Sequence, residues 1–416
     1  MSHPLPTDLA AADPSRKGAP EREEREDALL AAHATRAIGA GNRAIAEEPD
    51  RFRTCFERDL DRIHHSKAFR RLAGKCQVFV APEDDHLRTR LTHAIEVCQV
   101  AVSIARPTGL NVALTAAAAT GHDCGHGPGG HASEGALSPF VEGGYHHAVY
   151  GADVVLQPLN LCDETLDAIR NHSWNRPAPA TPEGEVVAWA DRLAYVCHDF
   201  EDAVDAGVVS PADLPAEVSE VVGADRRTQL HGFITAVVET IGETGVVGLR
   251  RAEADALAAF RAFNYERIYL RPEAVAEADL SARLIAGLAE FYLTHPSHLP
   301  DGDRLVPGSP DATASAVQYV SGMTDRFAHR AAIDLLGWDE RMGRYADVSV
   351  HRRAKITPGV VVYRLDDRLF FANAGYVTGR IREAMHGSPT PVRWLVFDAE
   401  ALAHVDATGA RALGDL

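Results

Sequence analysis

Long apolar runs are missing from this chain: none of its 416 residues belongs to a stretch reaching the roughly 18 apolar residues of a membrane-spanning helix. That excludes a bundle of spanning helices and, with it, a membrane partner. No Cys-x-x-Cys pair occurs. The six cysteines (Cys55, Cys76, Cys98, Cys124, Cys162, Cys197) are scattered and read as reduced, small core residues of a cytoplasmic protein. A positive balance is also lacking. Lys and Arg number 42 against 59 Asp and Glu, a net charge of -17, which argues against a basic nucleic-acid or anionic-membrane surface. A local basic pocket for a polyphosphate stays open. The N-terminus is polar and acidic, unlike a signal peptide. No internal repeat is evident.

What is present sorts into three parts. Residues 1–48, rich in Ala, Pro, Glu and Arg, read as a flexible acidic tail that becomes helical near Asp27. Residues 49–338 carry an almost wholly helical pattern. Leu91, Ile95, Cys98, Val102 and Ala105 follow a period near 3.6, and Pro107 and Gly109 end that segment. Asn111 caps a helix from Val112 to about Asp123, and a long helix runs from about Glu185 to Ala206. Residues 339–416 change texture. Val360–Tyr363 and Trp394–Phe397 are short β-branched and aromatic runs flanking a helical stretch from Ala374 to Met385. The fold class is therefore mostly α, a helical core with a small C-terminal α/β module.

Within the helical part, four residues stand out at three separated places: His93, the adjacent His122 and Asp123, and Asp191. Imidazole and carboxylate are both available as ligands at neutral pH without special tuning. Together they suit one hard to borderline divalent ion, with positions left for water and a phosphate. The run from His122 to Glu134 adds His126 and His131, plus five glycines or prolines that let the backbone approach a ligand closely. Glu134 lies three residues after His131, so the two face one way if that turn is helical.

These segments, taken in order, resemble the HD-domain deoxynucleoside triphosphate triphosphohydrolases (the dGTPase-like family) over about residues 50–338. The resemblance rests on Phe56-Glu57-Arg58-Asp59, His65 to Leu72, Gln77-Val78-Phe79, Arg88 to His93, the His122–Glu134 run, Ala190 to Tyr195 with His198-Asp199, and Gly322 to Arg326. It implies an HD-domain helical core. It also implies hydrolysis of a dNTP at the α-phosphorus to deoxynucleoside and tripolyphosphate. By position, His93, His122, Asp123 and Asp191 would hold one divalent ion, Mn²⁺ or Mg²⁺ first, with Fe²⁺, Co²⁺, Ni²⁺ or Zn²⁺ as alternatives. His126, His131 and His147 would be active-site histidines, with no division of acid from base, and Glu134 would orient His131. Arg90, one helical turn before His93, would reach a phosphate; the bland alternative is a surface ion pair.

On the late helix, Asp191, Tyr195 and Asp199 share a face at i, i+4 and i+8. The resemblance puts the Tyr195 ring where a 2′-hydroxyl would sit, Asp199 on the 3′-hydroxyl and Gln77 on the sugar. The alternatives are a core-filling Tyr195 and a solvated Asp199. Gly129 and Tyr150 depart from residues common in the family, which leaves the preferred base open. Family members often form homo-oligomers, and a nucleotide or single-stranded DNA effector is a further expectation.

Residues from about 341 resemble a second family, the STAS domains, through Pro358 to Asp366, Leu369 to Ala374, Val392 to Asp398 and Asp406-Ala407-Thr408-Gly409. Thr408 falls at the phosphorylatable position of the antagonist proteins, or is an ordinary helix N-cap. The module reads as incomplete at its end, with an unknown protein partner. Two other functions stay open. One is another nucleotide phosphatase or phosphodiesterase of the HD superfamily. The other is a non-catalytic dNTP-sensing regulator that signals through the STAS-like module.

Overall fold

A computed structural model of the chain describes residues 18–79, 86–339, 344–347, 360–364, 374–386, 394–398 and 411. The chain divides into two compact units, one ending at Leu336 and one beginning at Gly337.

The first unit is helical. At its centre lies the His93 helix (Arg90–Ala105), packed against the Val112–Gly121 helix and the Asp191 helix (Pro182–Asp205). Caps fix where these begin. Thr89 starts the His93 helix with a capping box closed by Thr92. The Asn111 side chain accepts from the backbone N–H groups of Ala113 and Leu114, both at 3.1 Å. Thr181 caps the Asp191 helix, followed by Pro182 in its first turn. No helix among the described residues is long and apolar enough to cross a membrane.

The buried face of the His93 helix is turned by one position from the sequence reading. Ala94, Val97, Ala101 and Ile104 are fully buried, whereas Ile95 is 54% exposed. The reason is that His93 itself belongs to the buried stripe. Packing on two sides then draws in residues that a single apolar face would leave out.

The expected flexible tail also differs. From Gly18 onward the described chain is tied down: a helix spans Ala19–Asp27, so Asp27 ends it rather than opening it. Arg22 of this helix pairs with Glu57, and further along Arg43 pairs with Asp59 at 2.6 Å, buried on both sides. Asp59 is fully satisfied, since its other oxygen accepts from the Cys162 N–H at 2.9 Å and the Thr165 hydroxyl at 2.8 Å.

In the second unit, strands Val360–Arg364 and Trp394–Asp398 pair in parallel, Val360 opposite Trp394, and helix Ala374–His386 lies between them in sequence. A parallel pair needs such a crossover, so the β, helix, β reading has its physical counterpart here. Val377 and Ile381 of this helix are buried. Thr408 lies outside the described residues.

Candidate metal centre

The Val112–Gly121 helix ends at His122, and the chain turns sharply through Asp123 to His131. Two glycines take up the left-handed backbone this requires, Gly129 at φ +67° and Gly130 at φ +60°. Gly125 matters for a different reason: a Cβ there would stand 2.0 Å from the His147 carbonyl oxygen and 2.5 Å from the Gly151 nitrogen. The close approach expected of this loop is thus to the His147 segment. Lys75, fully buried, clamps the loop from beneath, donating to the carbonyls of His126 and, at 2.9 Å, Ser321. Burial lowers its pKa to about 7. Asp325 adds a second clamp, accepting from the Gly129 N–H at 2.8 Å and the Cys76 N–H at 2.7 Å.

Three helices then bring the four expected ligands together. His93 Nε2 lies 3.0 Å from Asp191 Oδ1, and His122 Nε2 lies 3.5 Å from Asp123 Oδ1 and 3.6 Å from Asp191 Oδ1. His122 Nδ1 donates to the Ala119 carbonyl at 2.7 Å, which leaves Nε2 to face the centre. That Nε2 is buried, faces two carboxylates and has no hydrogen-bond partner. Burial disfavours a charge on this ring, but Asp123 and Asp191 outweigh it and raise its pKa to about 9. Burial likewise works against the carboxylates, yet the histidines, and for Asp123 also Arg90, hold both well below the ordinary range. With no ion bound, the raised pKa of His122 keeps a proton on Nε2 between the ring and the two anions, and a divalent cation would take the proton's place. Two imidazoles and two carboxylates are a donor set that fits a divalent ion. Asp191, with 22% of its side chain exposed, forms the open side of the centre, while Asp123 keeps only 5%.

Arg90 is 2% exposed and donates from Nη1 to Asp123 Oδ2 at 2.8 Å. It is a buried ion pair rather than a surface one, and its Nε is buried without a partner. His126 Nε2 sits 3.1 Å from Asp123 Oδ1, and its ring stacks on that of His147 at 3.7 Å between centroids. His131 is 75% exposed at the mouth. Glu134, in the short helix Ala132–Leu137, bonds to His147 Nδ1 and also lies 3.6 Å from His131 Nδ1. It therefore serves two histidines, one more than its spacing suggested. Burial pushes Glu134 up, but its hydrogen bonds with these rings carry it well below the ordinary carboxylate range.

Along the Asp191 helix, Tyr195 is half-buried and Asp199 is buried rather than solvated. Asp199 Oδ2 accepts from the Tyr269 hydroxyl, and its Oδ1 is buried without a partner. Burial raises its pKa to about 7. Gln77 also keeps a buried, unpartnered Oε1. On a neighbouring face of the same helix, a cavity of about 470 Å³ is lined by Trp174, Trp189, Arg192, Leu257, Arg261 and Tyr265. There Arg192 stacks over Trp174 at 3.5 Å.

Sequence reasoning missed three residues here. His172 caps the Asp163–Asn171 helix and places its ring 5.0 Å from that of His122. A histidine closing an amphipathic helix was the available signal. Tyr269 and Lys75 had none, because each meets its partner only through the tertiary fold.

Residues 90–196 match the HD domain, residues 247–332 the phosphohydrolase-associated domain and residues 351–416 the STAS domain. A protein of Caldanaerobacter subterraneus subsp. tengcongensis, named deoxyguanosinetriphosphate triphosphohydrolase-like protein, is 36% identical over 312 residues, covering 74% of this chain and 92% of that one. A protein of the same name from Clostridium perfringens strain 13 is 38% identical over 296 residues, covering 68% and 86%. Another from Desulfatibacillum aliphaticivorans is 35% identical over 330 residues, covering 74% and 94%.

Proposed function

The chain belongs to the deoxyguanosinetriphosphate triphosphohydrolase-like family of HD-domain proteins, and we propose that it hydrolyses deoxynucleoside triphosphates to deoxynucleoside and tripolyphosphate. The observation that carries this reading is the convergence of His93, His122, Asp123 and Asp191, with His122 Nε2 buried, unpartnered and facing two carboxylates.

These four residues would hold the divalent ion. Bound there, it would supply positive charge to a phosphate oxygen and lower the pKa of a water. Everything else falls to the chain's own residues. Arg90 fixes the Asp123 carboxylate through Nη1, and its buried, unpartnered Nε is a donor suited to an anionic phosphate. Glu134 holds His147 Nδ1, so that ring turns Nε2 inward. His131, at the exposed mouth beside the same carboxylate, or His147 gives the proton that the departing 5′-oxygen needs. The buried Asp199 Oδ1 accepts from a sugar hydroxyl, as does the free Gln77 Oε1. The half-buried Tyr195 ring, between Asp191 and Asp199 on one helix face, would fill the space of a 2′-hydroxyl and so select the deoxy sugar.

The test is turnover of each of the four dNTPs and GTP by the purified full-length chain in Mn²⁺, Mg²⁺ or Co²⁺, with Asp123→Ala alongside. Deoxynucleoside released by the wild type and not by the variant is the expected result. Absence of turnover with every dNTP in every metal would overturn the reading.

A further inference from the structure

Two of the sequence blocks, His65 to Leu72 and Gly322 to Arg326, supply no ligand to the metal centre. They meet instead at a cavity of about 510 Å³, between the short helix Lys67–Arg71 and the end of the helix Pro310–Ser321. That volume falls in the range of small-molecule sites. Tyr319, Met323 and Phe327 give it apolar and aromatic walls, and Ser315 and Thr324 add hydroxyls. Among the described residues, Arg71 is the one charged side chain that lines it.

Arg71 lacks the partner that the chain gives its other enclosed arginines. Arg43 faces Asp59, Arg88 faces Glu96, Glu201 and Asp202, and Arg90 faces Asp123. Arg71 is half-buried, its Nε is buried without a partner, and no carboxylate pairs with it among the described residues. Burial lowers its pKa, offset by the Cys124 thiol in place of an acid. A guanidinium keeps its charge regardless, so the result is a cation without a counter-charge at the wall of a cavity. Such a charge costs stability until an anion meets it. Its Nη1 lies against Gly322, where a Cβ would stand 3.2 Å away.

We propose that this cavity binds a small organic oxyanion, with a carboxylate or phosphate head on the Arg71 guanidinium and a flat apolar body against Tyr319, Met323 and Phe327. The planar fork of Arg71 matches either head, and the aromatic walls match the body. The occupant bears on the segment that fastens the metal-centre loop. Ser321, which ends the same helix, accepts from Lys75 at 2.9 Å, and Lys75 also donates to the His126 carbonyl. Asp325, next to Thr324, accepts from the Gly129 N–H at 2.8 Å. Thr324 itself abuts Gly74, where a Cβ would stand 2.7 Å from its Cγ2. A ligand held between Arg71 and Thr324 therefore touches the stretch between both clamps. The site stands whatever reaction the metal centre carries out.

The test is equilibrium binding of phenyl phosphate, benzoate and uncharged benzyl alcohol to the chelator-treated, full-length protein, followed by ligand-observed NMR. One or both anions are expected to bind at one site per chain. Benzyl alcohol is expected to bind about 10- to 100-fold more weakly, the factor of a charge-assisted hydrogen bond. Arg71→Met, which keeps the length and removes the charge, is expected to lose anion binding by the same factor. Ser315→Phe, which fills the cavity and leaves Arg71 in place, is expected to lose it as well, both variants being checked for folding by circular dichroism. Asp123→Ala is expected to bind as wild type does. Binding of neither anion, equal binding of benzyl alcohol, or binding retained by the folded variants overturns the site. Binding lost in Asp123→Ala and kept in Arg71→Met overturns it too, since the probe then sits at the metal centre.

Discussion

Replacing Asp199 with asparagine is expected to stabilise the protein above neutral pH while weakening its hold on a deoxyribose. Asp199 is 2% exposed, takes one hydrogen bond from Tyr269 and leaves Oδ1 unpartnered. Burial lifts its pKa from 3.8 to about 7. Between those values the folded protein keeps a proton that the unfolded chain has lost. Stability contributed by this group therefore falls as pH rises through that window, and the full cost is present above it. A shift of that size corresponds to at most ~4 kcal/mol, and relaxation around the charge reduces it, so about 1–3 kcal/mol is expected. Asparagine keeps an acceptor for the Tyr269 hydroxyl and removes the charge. Urea unfolding of both proteins should show the variant more stable at pH 8, with the difference shrinking toward pH 4. Loss of a charged acceptor for a sugar hydroxyl removes roughly 1.5–3 kcal/mol, or about 10- to 100-fold in KM. A variant less stable than wild type by the same margin at both pH values would refute this reasoning and make Asp199 an ordinary structural carboxylate.

Glu134→Gln keeps the shape but removes the charge that Glu134 presents to His147 and His131; turnover is expected to fall by roughly 10²- to 10⁴-fold with thermal stability little changed, as read by steady-state kinetics beside a melting curve. Gly125→Ala would press a Cβ to 2.0 Å from the His147 carbonyl oxygen, so backbone must move; a loss of about 1–3 kcal/mol is expected in urea unfolding, with activity lost alongside. Asp59→Ala strips the partner from the buried Arg43 and leaves its guanidinium uncompensated; the expected cost is about 3–5 kcal/mol, measured the same way.

How much of this was legible in the sequence depends on whether the signal was local. His93 and Asp191 lie inside helices that pattern and caps locate, and His122 and Asp123 directly follow one, because a cap such as Asn111 depends only on its neighbours in sequence. The buried face of the His93 helix was read one step out, since period alone cannot tell packing on one side from packing on two, and Ile95 ended up exposed. Arg90 was legible as a cation near the centre, but its partner, 33 residues away in the chain, was not. Lys75, Tyr269 and His172 gain their meaning from partners brought in by tertiary packing. The same holds for the early arginines. Arg22 and Arg43 read as tail charges, and only the folded body supplies Glu57 and Asp59.

If the His93, His122, Asp123 and Asp191 centre acts on dNTPs as proposed, water attacks at the α-phosphorus. The most direct measurement is ³¹P NMR of the products formed in ¹⁸O-labelled water with Mn²⁺ present. The expected products are tripolyphosphate carrying the label on a terminal phosphate and unlabelled deoxynucleoside, with neither product from Asp123→Ala. Orthophosphate or pyrophosphate as the released species would contradict it.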